Sequence, residues 1–381
     1  MHKFVENGGY ACLSVTNLEI YEPVSCTKFD NVESLLWFGT ETGRVASIVA
    51  NHSTKYTAFP ISHSPVLGLQ PTEYGLLSLF KDSVNLNSRT GLNYCTIKTP
   101  NMQDLTCFHI MKSNPSNVIL RGNQKTISIV DLNVQKETRV VFDSKKSEGS
   151  VMRENDDYIF TSDASGSITL RNKTSLECIG EIKAHKGTIV DFDICGNKLI
   201  TCGMTFNYKG FCPESYIKVF DLRTLNPLPP IALDFAPRFC RFLPENAEDM
   251  YVAVSVGGEM VITNLYEPQT TTVHVDNDNC AITALDVSLT NECISIGDQQ
   301  SFIHIFSNCE VPNYNYINME SVYADPFEQL SRMDFDEMTS LSMVPYKHDL
   351  AETLISDWPE EYTYNSYRYL KRENSEILKR D

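Results

Sequence analysis

The sequence predicts an all-β fold, a ring of seven small sheets followed by an acidic and largely irregular segment. Three observations lead there. Short apolar strands joined by glycine-bearing turns recur along the chain, they recur about every forty residues, and the recurrence stops where acidic residues take over.

The pattern is clearest at Ile217-Lys218-Val219-Phe220-Asp221-Leu222-Arg223, where large apolar and polar side chains alternate and an aromatic-Asp pair closes the run. Period two is what a strand with one buried face requires. The first unit has strands at 24–29, 34–39 and 44–48, with a turn at Glu41-Thr42-Gly43. The second has 65–69, 75–80 and 83–86, and the third 105–110, 117–120 and 126–131. In the fourth, 158–162 and 167–171 flank the turn Asp163-Ala164-Ser165-Gly166, and the strand near Val151 is the poorest of the set. The fifth begins at Ala184-His185 and runs through 188–192, 198–203 and the strand at Ile217. The sixth uses 239–242, 250–255 and 260–262, and the seventh 282–287, 293–297 and 302–306.

The second strands of these units end at Gly39, Leu79, Arg121, Ser162, Gly203, Ser255 and Gly297, giving spacings of 40, 42, 41, 41, 52 and 42. The one long spacing holds an insertion at 205–214. A period of 40 to 45 with about four short strands per unit is the signature of WD40 blades. A lone four-stranded sheet cannot bury both faces, whereas blades set in a ring cover one another. Rings of this kind close by borrowing a terminal strand. Residues 1–22 are expected to supply it, through the piece at 18–21, so the ring takes residues 1–318 and the acidic segment 319–381.

The composition narrows the function. Asp and Glu number 49 against 32 Lys and Arg, a net charge of −17, which repels a phosphate backbone and leaves RNA only local footholds such as Lys371-Arg372 and Lys379-Arg380. Twelve irregularly spaced cysteines without Cys-x-x-Cys, and no signal segment ahead of Lys3 and Glu6, suit reduced thiols in a cytosolic or nuclear protein, and a cytoplasmic one is expected. No apolar run is long enough to span a bilayer. The chain stops at Asp381 without a closing signal, as a piece of a longer protein would.

Residues that could carry chemistry read as structural. His185 with Thr201 and Phe220 fits a buried blade network, the alternative being a catalytic or metal histidine. Cys195, Cys202 and Cys212 lack the close, turn-like spacing that zinc needs. Asp131, Asp163, Asp191 and Asp221 fall near strand ends and turns, where carboxylates accept hydrogen bonds from amides. With no phosphate loop, no Gly-x-Ser-x-Gly and no His-Glu-x-x-His, no catalytic residue, metal or cofactor is called for. Candidate contact residues are aromatic: Phe206, Tyr208 and Phe211 on the insertion, read as a loop, and Phe327, Phe335 and Trp358 in the segment 319–362, which carries eleven acidic and two basic residues. The insertion aromatics either contact a partner or pack over the ring, and the acidic segment either solvates itself or docks Phe327, Phe335 or Trp358 on the propeller or on a partner.

Three stretches narrow the reading further: Trp37-Phe38-Gly39-Thr40-Glu41-Thr42-Gly43, the strand at Ile217 followed by Leu228-Pro229-Pro230-Ile231 after the fifth blade, and Leu354-Ile355-Ser356-Asp357-Trp358-Pro359. Together they resemble the N-terminal region of the catalytic subunits of the poly(A)-nuclease deadenylation complex. The resemblance implies a seven-bladed propeller, a linker that binds a pseudokinase-like regulatory subunit, and a 3′ exonuclease domain elsewhere. That nuclease needs Asp-x-Glu for its two metal ions, and these residues contain none. The expectation is a noncatalytic scaffold for mRNA poly(A) shortening, with protein partners on its faces. The alternatives are a scaffold for a vesicle coat, a ubiquitin ligase or signalling, and a hydrolase site in the central channel.

Overall fold

The computed structural model describes residues 10–17, 22–49, 55–143, 149, 151–208, 210–243, 249–266, 271–277, 280–317 and 319. They form seven antiparallel sheets arranged as blades, in the order and number the spacing predicts. Blade 1 is Val24–Phe29, Leu35–Thr40, Arg44–Val49 and Lys55–Pro60, and each strand pairs with the next. Blades 2, 3, 4 and 6 repeat it. Blade 4 opens on the short strand Met152–Glu154, the weak point of the sequence reading.

Blade packing explains why second strands carry such continuous apolar runs. Leu35–Thr40 is buried throughout. Leu35 and Trp37 enter a cluster with Leu69, Leu76 and Phe80 of blade 2, while Leu36 and Phe38 enter another with Ile303 and Ile305 of blade 7. Successive side chains of a strand point to opposite faces, so the strand feeds two cores, not one. Seven apolar clusters are found among the described residues, and each straddles two neighbouring blades. A blade removed from the ring would expose both of its faces.

The turns between second and third strands of blades 1 and 4 share one chemistry. Gly43 and Gly166 adopt φ of 85° and 87°, and a Cβ on either would lie 2.2 Å from a carbonyl oxygen, that of Ser62 or His185. Each turn carbonyl takes amides from the loop that leads to the next blade, Ile61 at 3.0 Å on Gly43 and Ala184 at 2.9 Å on Gly166. Only glycine combines that backbone with that approach.

Three findings correct the sequence reading. The strand that completes blade 7 is Ala11–Asn17, antiparallel to Phe302–Ser307 from Ala11↔Ser307 to Asn17↔Phe302; the piece expected to do so, 18–21, lies outside the described residues. The prolines at Pro227, Pro229 and Pro230 do not lie beyond the fifth blade. They sit in its outermost strand, Asn226–Ala232, where the outer edge has no further neighbour and Pro229 and Pro230 fall at the register shift between Ile217 and Val219, out of the paired ladder. The insertion is not a loop but a hairpin: Lys198–Asn207 overshoots its blade and pairs with Gly210–Pro213.

Candidate interaction surfaces

Three regions carry polar or exposed groups beyond what packing needs. The first is the centre of the ring. There the opening strands of the seven blades touch one another in turn, and the last meets the first. Polar and ionic ties bind neighbouring blades across these contacts: a His109–Glu154 hydrogen bond at 2.8 Å, and ion pairs of Arg153 with Asp191 and Asp193 at 3.4 Å each, Arg241 with Asp191, and Lys28 with Asp286 at 2.7 Å. Burial pushes the Glu154 carboxyl up, but hydrogen bonds from His109, Lys173 and the Lys112 amide outweigh it and bring it down to about 2. Asp191 is thus an inter-blade tie on an opening strand. Asp131, Asp163 and Asp221 do cap turns, through the amides of Asn133 at 2.8 Å, Ser165 at 2.9 Å and Arg223 at 2.9 Å.

The second region is the hairpin of blade 5. Phe206 and Phe211 face each other across its strands, with ring centroids 5.2 Å apart at 66°, and Tyr208 is at its tip. They are 60%, 62% and 93% exposed. The root is rigid. Glu214, which closes the insertion, is buried and accepts from His185 Nδ1 at 3.1 Å and from Lys218 Nζ at 3.1 Å. His185 Nε2 meets Thr201 Oγ1 at 3.2 Å, and Lys218 also donates to the Ala184 carbonyl at 2.8 Å. Burial pushes the His185 imidazole down, with Glu214 pulling the other way. Gly203 lets the ring in, since a Cβ there would lie 2.7 Å from it. The expected His185–Thr201 network is therefore present, and Phe220 packs in the adjacent apolar cluster. Glu214 was missed, because nothing local marks a lone carboxylate at the end of an insertion as buried.

The third region is the seam between blades 7 and 1. After the last strand the chain crosses the turns of both blades. Tyr314 is fully buried with its ring edge-on to Phe29, 4.7 Å between centroids. Asn315 Nδ2 donates to the carbonyls of Asp30 at 3.0 Å and Glu33 at 2.8 Å, and Met319 forms a parallel bridge with Glu33. Tyr316, Ile317 and Met319 stand exposed beside this crossing. Beneath it the buried Asp30 carboxylate accepts from Trp37 Nε1 at 2.8 Å, from Arg89 at 2.9 and 2.8 Å, and from the amides of Val32 and Glu33.

None of the twelve cysteines is in a disulfide. Burial pushes the thiols of Cys26 and Cys293 up to about 12, which keeps them protonated and poorly nucleophilic. Cys202 is buried inside blade 5, Cys195 ends its opening strand, and Cys212 is on the hairpin; among the described residues no group of three or more His, Cys, Asp or Glu could hold a metal ion. No described helix is long and apolar enough to cross a membrane. Phe327, Phe335 and Trp358 lie outside the described residues.

Comparison with known proteins bears on the seven-bladed ring directly. The family model described as PAN2 N-terminal matches residues 6–307, from ahead of the closing strand to the end of blade 7. The chain belongs to this family. A polyA-specific ribonuclease subunit of Caenorhabditis elegans, panl-2, is 32% identical over 367 residues, covering 91% of this chain and 32% of that protein. The PAN2-PAN3 deadenylation complex catalytic subunit PAN2 of Homo sapiens is 27% identical and covers 98% of this chain and 31% of its own length. The chain thus spans about a third of the curated relatives it matches. The solved Neurospora crassa Pan2 WD40 domain superposes with a TM-score of 0.75 at 20% identity, covering 82% of this chain and 99% of that one. The seven blades described above are therefore the fold of the PAN2 N-terminal region, a WD40 propeller.

Proposed function

We infer that this chain is the noncatalytic scaffold region of a cytoplasmic mRNA poly(A)-shortening complex. The observation that carries this reading is the extent of the match: residues 6–307 fit a family of N-terminal regions, and its full-length relatives, named as catalytic subunits of a PAN2-PAN3 deadenylation complex, are about three times longer. The 3′ exonuclease then belongs to a part of the protein outside this chain. A propeller suits the remaining task, since its strands hold loops on two faces at fixed relative positions.

The partner in this reading is the regulatory, pseudokinase-like subunit, with other proteins on the propeller faces. The acidic segment that follows Met319 offers Phe327, Phe335 and Trp358 as contacts, and two tethered weak contacts raise the effective concentration of the second. RNA contact is local at most, given the charge of −17. Co-expression of residues 1–381 with the regulatory subunit tests the reading. The two are expected to co-elute in size exclusion after affinity capture of either one. A folded 1–381 that melts cooperatively yet elutes alone would contradict it.

A further inference from the structure

The hairpin of blade 5 has its polarity reversed. Its strands put Met204, Phe206, Phe211 and Pro213 on one face and Thr205, Asn207 and Cys212 on the other. In a half-buried sheet the apolar face turns inward. Here Phe206, Phe211 and Pro213 are exposed, while Thr205, Asn207 and Cys212 are half-buried, with Asn207 Nδ2 3.5 Å from Cys212 Sγ. The arrangement is also held firmly. The Met204 amide and carbonyl bond Thr188 O and Gly187 N at 2.9 Å each, and Glu214 anchors the root through His185 and Lys218. Exposed aromatics on a rigid support have already met the ordering cost that weakens most contacts.

We propose that this hairpin is a preformed anchor for a segment of another protein that carries both apolar and acidic side chains. The apolar part follows from the three rings. The acidic part follows from the charge beside them: Phe211 lies against Gly187, and the adjoining Lys186 is exposed and, among the described residues, in no ion pair; Lys183, at the end of the strand that leads into this loop, is exposed as well. Glu214, the carboxylate at the root, is buried and already paired with His185 and Lys218. A second copy of this chain is a poor fit. An aromatic side chain buries about 150–250 Å², so three rings supply on the order of 500 Å², short of the roughly 800 Å² per partner of a stable dimer. Single-stranded RNA is a poor fit as well, because stacking platforms depend on a basic groove that tracks the backbone, and this chain has a net charge of −17.

The inference uses the scaffold reading only to choose the complex in which it is tested. With p-benzoylphenylalanine in place of Tyr208, which is 93% exposed, the full-length protein is assembled with its regulatory subunit and irradiated. The expected product is a crosslink to a partner peptide rich in acidic and apolar residues. Affinity for that peptide, made synthetically, is expected to fall on the order of thirtyfold in the Phe206→Ala/Phe211→Ala double variant, while Tyr208→Ala leaves the melting midpoint unchanged. Assembly is scored separately, so a complex that forms without this crosslink overturns the hairpin inference alone. A crosslink only to a second copy, or only to RNA, overturns it too.

Discussion

Deleting residues 1–17 is expected to abolish the cooperative melt of the ring. Every other blade takes its four strands from one continuous stretch, whereas blade 7 takes its outer strand, Ala11–Asn17, from the opposite end of the chain. Without it, Phe302–Ser307 becomes an open edge, and the six residue pairs that join the two strands are lost. The deletion also removes Tyr10, buried in the cluster shared by blades 6 and 7, whose hydroxyl donates to the Asn291 carbonyl, and Leu13, packed on the seam cluster. Losing one large buried aromatic alone costs about 3–5 kcal/mol. Adding a strand of hydrogen bonds brings the total close to the 5–15 kcal/mol that holds a typical domain folded. Circular dichroism melts and size exclusion report the outcome. A variant that stays monomeric and melts within a few degrees of the parent would show that the ring closes without this strand.

Asp30→Ala is expected to lower the melting midpoint by about 10 °C. The carboxylate is fully buried and accepts five hydrogen bonds, two from the Arg89 guanidinium and one from the Trp37 indole. Alanine leaves the indole N–H without that acceptor and leaves Arg89 facing Glu33 at 3.2 Å and the Thr72 carbonyl. Breaking a buried pair by removing one partner costs roughly 3–5 kcal/mol, which is about 10 °C at 2–4 °C per kcal/mol for a domain of this size. The effect extends further, because the 30–33 turn also receives Asn315 and Met319, so the crossing segment loosens with it. The control is Lys81→Ala. Its pair with Asp104 is 69% and 51% exposed, and solvent-exposed pairs of that kind contribute little. An Asp30→Ala midpoint as close to the parent as that of Lys81→Ala would rule out the buried network as a keystone.

The architecture was legible because one rule repeats. Second strands are buried on both faces, and all but one of their spacings fall between 40 and 42 residues, so seven copies stand out against the intervening sequence. Fourth strands follow no such rule: Lys136–Phe142 is mostly exposed, and Asn226–Ala232 carries three prolines, so neither looks like a strand locally. The closing strand was misplaced for a related reason. Ala11–Asn17 is half-buried along most of its length, and its partner lies nearly three hundred residues away. Long separation also hid Asp30, whose partner Arg89 is 59 residues off, and Asp191, whose ties to Arg153 and Arg241 run between blades. The hairpin read as a loop because its apolar side chains face outward, which removes the inward face that a strand reading looks for.

On the scaffold reading proposed above, this chain is a platform and not a reaction chamber. The most direct measurement of that claim is poly(A) shortening by purified residues 1–381 in the presence of Mg²⁺, followed on a denaturing gel, with the same preparation checked for capture of the regulatory subunit. The account predicts capture of the subunit and RNA of unchanged length. Magnesium-dependent shortening of the RNA by this chain alone would contradict it.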